Sequence, residues 1–186
     1  KDVDAYNNLA LICQQLQDEK CVLDNYQKAF EVDPKNWEGR FGLGTFYDEQ
    51  GEYNLAEQQY RLAMKASNSD AGNAINNLSR LKNLQKQYEK AMELVQLGLS
   101  RNNNNETQAA LYKNIGWAEL ERKQYAVAEQ YLRRSLELNA QRADAYCLLA
   151  RLLEATAQDP RAMWEACLLL NSSLSEVQVW RQQFLD

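Results

Sequence analysis

The chain has 186 residues and a net charge of −5, from 21 Lys and Arg against 26 Asp and Glu, with seven Gly, two Pro and no His. The missing His excludes imidazole-based triads, histidine zinc sites and the ordinary proton shuttle near pH 7. The acidic balance offers nucleic-acid phosphates no basic stripe, the scarcity of Gly and Pro argues against a turn-rich β fold, and no apolar run reaches the roughly 18–20 residues of a membrane span.

Taken in order, the elements repeat. A Tyr-x-x-Ala pair at Tyr53 and Ala56 returns at Tyr88 and Ala91 and at Tyr125 and Ala128. Extended outward, this pair divides the chain into five units of equal length: 3–36, 37–70, 72–105, 109–142 and 143–176. The seventh residue of each unit is aliphatic: Leu9, Leu43, Leu78, Ile115 and Leu149. The eighth is small: Ala10, Gly44, Ser79, Gly116 and Ala150. The twentieth is small or β-branched: Val22, Ala56, Ala91, Ala128 and Ala162. The twenty-seventh is Ala29, Ala63, Gly98 and Ser135, then Leu169. Small residues at these slots let two antiparallel helices approach closely, and larger ones fill the space between units.

Local signals set the boundaries. Asp33-Pro34 stops the second helix of the first unit, because proline disfavours a helical residue before it. Gly51 suits the turn of the second unit. Asn102 to Asn105 read as a solvated loop between the third and fourth units. Asp159-Pro160 opens the second helix of the fifth unit as a cap followed by proline. The tail, about 176–186, reads as a capping helix with Val177, Trp180 and Phe184 on one stripe. It is expected to cover the apolar face of the fifth unit. No matching helix precedes the first unit, whose open end is either shielded by something else or a contact surface. Cys13, Cys21, Cys147 and Cys167 form no C-x-x-C and match no common zinc spacing. Buried thiols in a reducing compartment are expected, with a disulfide or redox pair as the alternative.

This pattern resembles the tetratricopeptide repeat (TPR) family over nearly the whole chain. The second unit carries most of the motif as Leu43-Gly44, Tyr47, Gly51-Glu52-Tyr53, Ala56, Tyr60 and Ala63. The terminal proline is Pro34 in the first unit but Asn68, Asn103, Ala140 and Leu174 later, and Glu19 and Asp159 replace the turn aromatic in the end units. The resemblance implies an all-α, right-handed α-solenoid of five TPR helix pairs plus a C-terminal capping helix, forming a single domain over 1–186. It also implies a bacterial protein–protein interaction module, a scaffold or adaptor without enzymatic activity, catalytic residues, metal or cofactor. In such domains the first helix of each unit lines a concave groove that holds an extended peptide or partner helix. Small bacterial members also serve as assembly factors, as in type IV pilus biogenesis. The tail resembles, over a short stretch, the ends of TPR segments that regulate larger bacterial signalling enzymes.

The 3.6-residue period points the fifth, sixth, ninth, twelfth and thirteenth residues of each unit into the groove. These are Asn7, Asn8, Leu11, Gln14 and Gln15 in the first unit, and Phe41, Gly42, Thr45, Asp48 and Glu49 in the second. Asn8, Asn77 and Asn114 share one slot, where an amide offers a donor and an acceptor to any peptide backbone. Arg80, Lys113 and Arg151 stand ready for a carboxylate, and Phe41 and Trp117 for an apolar anchor. Ordinary solvated helix surface is the alternative for each. The carboxylate clamp of chaperone-binding relatives is matched only by Asn114 and Arg151, so tight binding of chaperone tails is not expected. The partner is a protein or peptide, not nucleic acid, and the oligomeric state is open. Composition favours the cytoplasm, and a removed leader would place the chain in the periplasm.

Overall fold

The computed structural model describes residues 2–67, 72–101, 104–170 and 172–185. Among the described residues it holds eleven α-helices and no strand. They are α1 (Val3–Gln15), α2 (Glu19–Val32), α3 (Trp37–Glu49), α4 (Tyr53–Ala66), α5 (Gly72–Leu84), α6 (Tyr88–Arg101), α7 (Asn105–Glu121), α8 (Tyr125–Leu138), α9 (Ala143–Ala155), α10 (Arg161–Leu169) and α11 (Ser175–Leu185). The fold is an all-α solenoid of helix hairpins. The helices form two compact units, Lys1–Leu78 and Ser79–Asp186, and the boundary falls inside α5.

Each hairpin starts on a side-chain cap or turns on a left-handed residue. Asp2, Asp18 and Asn104 accept from the backbone N–H groups of Asp4, Cys21 and Thr107 at 3.1, 2.9 and 3.1 Å. Each bond satisfies a donor that the first helical turn leaves without an intrahelical partner. The turn between the two helices of every repeat holds one residue at positive φ: Gln17 at 58°, Gly51 at 77°, Lys86 at 58°, Lys123 at 63° and Ala157 at 55°. All five occupy the same repeat position, although only one is glycine. Closing the hairpin over two packed helices outweighs the roughly 1–2 kcal/mol that the left-handed region costs other residues.

In the first unit, Ala10, Cys13, Val22, Tyr26, Leu43 and Phe46 form the core. Gly44 faces the Tyr60 ring, where an added Cβ would sit 2.7 Å from two ring carbons. Leu9 departs from its expected slot and is 46% exposed, as are Ile12 at 51% and Leu16 at 74%. They lie on the side of α1 that later repeats turn toward a preceding hairpin.

In the second unit the core gathers Trp117, Leu132, Leu148, Leu152, Trp164, Val177 and Trp180. Here α7 begins at Asn105, four residues before the expected repeat start at Ala109. The expected loop therefore becomes a cap at Asn104 and a helical residue at Asn105, while Asn102 and Asn103 lie outside the described residues. The last hairpin departs further. Helix α10 starts at Arg161 and buries Trp164 and Cys167, while Ala162 and Leu169 are exposed. The expected cap is corrected: Pro160, not Asp159, is the N-cap residue and makes no side-chain cap bond, while Asp159, one residue outside the helix end, accepts from the Arg161 N–H at 3.1 Å.

The expectation of free thiols is corrected. Cys13 pairs with Cys21, joining α1 to the start of α2, and Cys147 pairs with Cys167, joining α9 to α10. The hairpin brings each pair together, which spacings of eight and 20 residues do not reveal.

Candidate functional site

Two inner faces, one in each unit, carry the side chains singled out by the repeat. In the second unit that face is filled by the chain's own C-terminal helix. The Glu176 carboxylate of α11 accepts from Arg80 Nη1 at 2.7 Å, both side chains being buried. Trp180 packs edge-on to Trp117 with ring centroids 5.1 Å apart. Arg151 lies over the Trp180 ring at 5.4 Å and pairs with Glu121 at 3.1 Å. Val177 is fully buried beside them. The capping helix thus runs along the inner faces of α5, α7 and α9, and Phe184 stacks on Trp164 of α10 at 4.9 Å.

Behind this layer sits a buried charge cluster. Lys113 is 1% exposed and pairs with Asp144 at 3.2 Å, and Arg142 pairs with the same carboxylate at 2.8 Å. Burial pushes the Asp144 carboxyl upward, but Lys113 and Arg142 outweigh it and hold it down at about 2. Burial also pulls the Lys113 ammonium downward, with Asp144 opposing. Asn114 is buried and donates to Ser79 Oγ at 2.7 Å, while Asn83 donates to the Asn114 carbonyl at 2.7 Å. These bonds tie α5 to α7.

In the first unit the inner face is a groove of about 940 Å³. All positions mapped from the first two repeats line it except Asp48, which accepts from the Tyr60 hydroxyl at 3.2 Å. Asn8 and Leu11 are exposed, while Phe41 is half-buried with its ring 5.7 Å from Tyr60. Gly42 lets the chain pass the Tyr26 hydroxyl, which a Cβ at that position would overlap. Burial, with the nearby Glu49 carboxylate, raises the Tyr26 phenol to about 12, so it stays a neutral donor. Gln14 donates to Glu49 at 2.6 Å across the groove wall. Among the described lining residues the charged ones are Asp4, Glu38 and Glu49, with no Lys or Arg.

Of the eight residues singled out by sequence, Asn8 and Phe41 therefore line the groove of the first unit. Asn77 donates to the Tyr60 hydroxyl at 3.0 Å. Arg80, Lys113, Asn114 and Trp117 are buried, and Arg151 is half-buried, all with partners inside the second unit. The expected open cationic face is thus covered there. Repeat mapping missed Asp4, Trp37 and Glu38, which flank the groove one turn from the mapped stripe.

Known proteins agree with the architecture. A tetratricopeptide repeat profile matches residues 3–36 and 109–142, and a second matches residues 25–58. The chain is 29% identical over 150 residues to the type IV pilus assembly protein PilF of Pseudomonas aeruginosa, over 81% of this chain and 59% of PilF. It thus spans less than two thirds of that relative's length. The solved structure of P. aeruginosa PilF aligns with a TM-score of 0.76 at 23% identity, over 99% of this chain and 85% of that one. PilW, a widely conserved type IV pilus biogenesis factor, aligns with a TM-score of 0.78 at 18% identity, over 97% of this chain and 87% of that one.

Proposed function

The chain belongs to the tetratricopeptide repeat family, and from that premise we propose that it is an assembly adaptor whose first-unit groove holds an extended segment of a partner protein. One observation carries the reading: the second unit's inner face is filled by α11, whereas among the described residues of the first unit no segment lies across its groove of amides, aromatics and carboxylates. Asn8 and its neighbours Asn7 and Gln15 offer donors and acceptors to a backbone of any sequence. Phe41 and Leu11 offer an apolar anchor. Arg80, Lys113, Asn114, Trp117 and Arg151 serve the partner indirectly, by seating α11 and fixing α5, α7 and α9.

Likeness to PilF and PilW supports assembly of a type IV pilus as the setting. The two disulfides support an oxidising compartment such as the periplasm in place of the cytoplasm. Among the described residues no helix is long and apolar enough to cross a membrane.

Site-specific photo-crosslinking in the source cell tests the groove. A crosslinker replacing Asn8 or Phe41 should capture one protein, and one replacing the exposed Val127 on α8 should not. Capture at Val127 alone would refute the groove. Loss of surface pili on deleting the gene would support the assembly setting, and unchanged pili would remove it.

A further inference from the structure

We propose that the first-unit groove selects a basic segment: an extended stretch of a partner protein that alternates Lys or Arg with apolar residues. This rests on the groove reading above and adds the chemistry of the occupant. Its charged lining is one-sided, Asp4, Glu38 and Glu49, with no cation among the described lining residues. That bias is opposite in sign to the Arg80, Lys113 and Arg151 set that the repeat maps to the other inner face. Two of the wall amides are held in place: Asn7 donates to Asn36 at 3.3 Å and Gln14 donates to Glu49 at 2.6 Å, while the oxygens of both amides are buried, so the acceptors facing an occupant are the carboxylates and the exposed Asn8. Ammonium and guanidinium groups, and peptide N–H groups, bring only donors.

The aromatics complete the match. Trp37, Phe41 and Tyr26 line the same groove. Indole and phenyl faces attract cations as well as apolar side chains. An acidic occupant would instead place carboxylates against the three carboxylates of Asp4, Glu38 and Glu49. Like charges in a cleft with low-dielectric walls repel more strongly than on open surface.

The test uses the whole chain and two labelled peptides in fluorescence polarisation: one alternating Lys with Leu and Phe, the other identical with Glu for Lys. At low salt the Lys peptide should bind about tenfold or more tightly than the Glu peptide, and at 1 M salt, where the screening length is roughly 3 Å, the difference should largely vanish. Glu38→Gln with Glu49→Gln should weaken the Lys peptide several-fold. Glu129→Gln with Glu137→Gln, which removes the same charge on α8, should leave it unchanged. Equal effects from the two pairs would mean that net charge, not the groove, attracts the peptide, and would overturn the proposal. The companion variant Asn8→Ala with Leu11→Ala separates the two readings. If both peptides bind equally and both weaken in that variant, the groove stands and the charge selection falls. If binding ignores that variant altogether, the groove reading falls first.

Discussion

Trp180→Ala should release α11 without unfolding the rest of the second unit. Trp180 is 5% exposed, edge-on to Trp117 and capped by Arg151. A buried tryptophan removes roughly 200 Å² from water, and at roughly 25 cal/mol per Å² that is about 5 kcal/mol. The edge-to-face pair adds about 1 kcal/mol, while residual burial in the unfolded chain subtracts roughly a quarter. Aromatic-to-alanine changes in cores cost about 3–5 kcal/mol, so about 4 kcal/mol is expected.

The loss should be local, because an α-helix of 11 residues does not hold its shape alone in water. Val177, the Arg80–Glu176 pair, the Phe184–Trp164 stack and the Arg181 bond to the Cys167 carbonyl remain, and with the indole gone they hold the helix closed far less of the time. Hydrogen exchange read by mass spectrometry should show protection of 175–185 falling about a thousandfold, the ratio that 4 kcal/mol implies, with α7 and α8 still protected. Trp180→Phe should keep more than half of the protection. A drop of less than tenfold in Trp180→Ala would refute the seating of α11 through its tryptophan.

Three further outcomes follow from the same contacts. Gly44→Leu drives a side chain into the Tyr60 ring and should cost about 3 kcal/mol in urea denaturation, whereas full tolerance would mean that the repeat register is wrong. Asp144 has a carboxyl held at about 2 against 3.8 when unfolded, so its contribution is full above pH 5 and lost as pH falls through that interval. That amounts to about 2 kcal/mol, and Asp144→Asn should flatten the acid limb of a stability–pH curve by that amount. Reducing Cys147–Cys167, which closes a separation of 20 residues, should cost about 3 kcal/mol in thermal denaturation, and alkylation without reductant should label none of the four cysteines.

Much of the fold was legible because packing slots leave a compositional trace. Ala10, Gly44, Ser79, Gly116 and Ala150 are small in sequence and buried in the structure. The shared left-handed turn was legible only at Gly51, since Gln17, Lys86, Lys123 and Ala157 adopt it under tertiary constraint against their own preference. Helix α10 departs from the register: it starts at Arg161, later in its repeat than the other second helices, and turns Trp164 and Cys167 inward, Cys167 being tied to Cys147 of α9. For the tail, periodicity identified a helix with an apolar stripe that covers the fifth unit, as α9 and α10 show, but not its reach to Arg80 of α5 and Trp117 of α7.

That last gap decides how the candidate site is read. By sequence the second-unit inner face takes a carboxylate through Arg80, Lys113 and Arg151 and an apolar side chain against Trp117. The chemistry is present, but the chain supplies both halves. Glu176 and Trp180, four residues apart on one helix face, deliver the carboxylate to Arg80 and the ring to Trp117 and Arg151. Asp144 and Glu121 match the remaining cations. A partner competing there would have to displace a helix anchored by a buried ion pair and a buried indole, against the about 4 kcal/mol worked out for the indole alone. No such cost applies in the first unit, where Asn8, Leu11 and Glu49 are exposed. Under the proposed reading, selectivity would then rest on the acidic first-unit groove, while Arg80, Lys113 and Arg151 hold the second unit together.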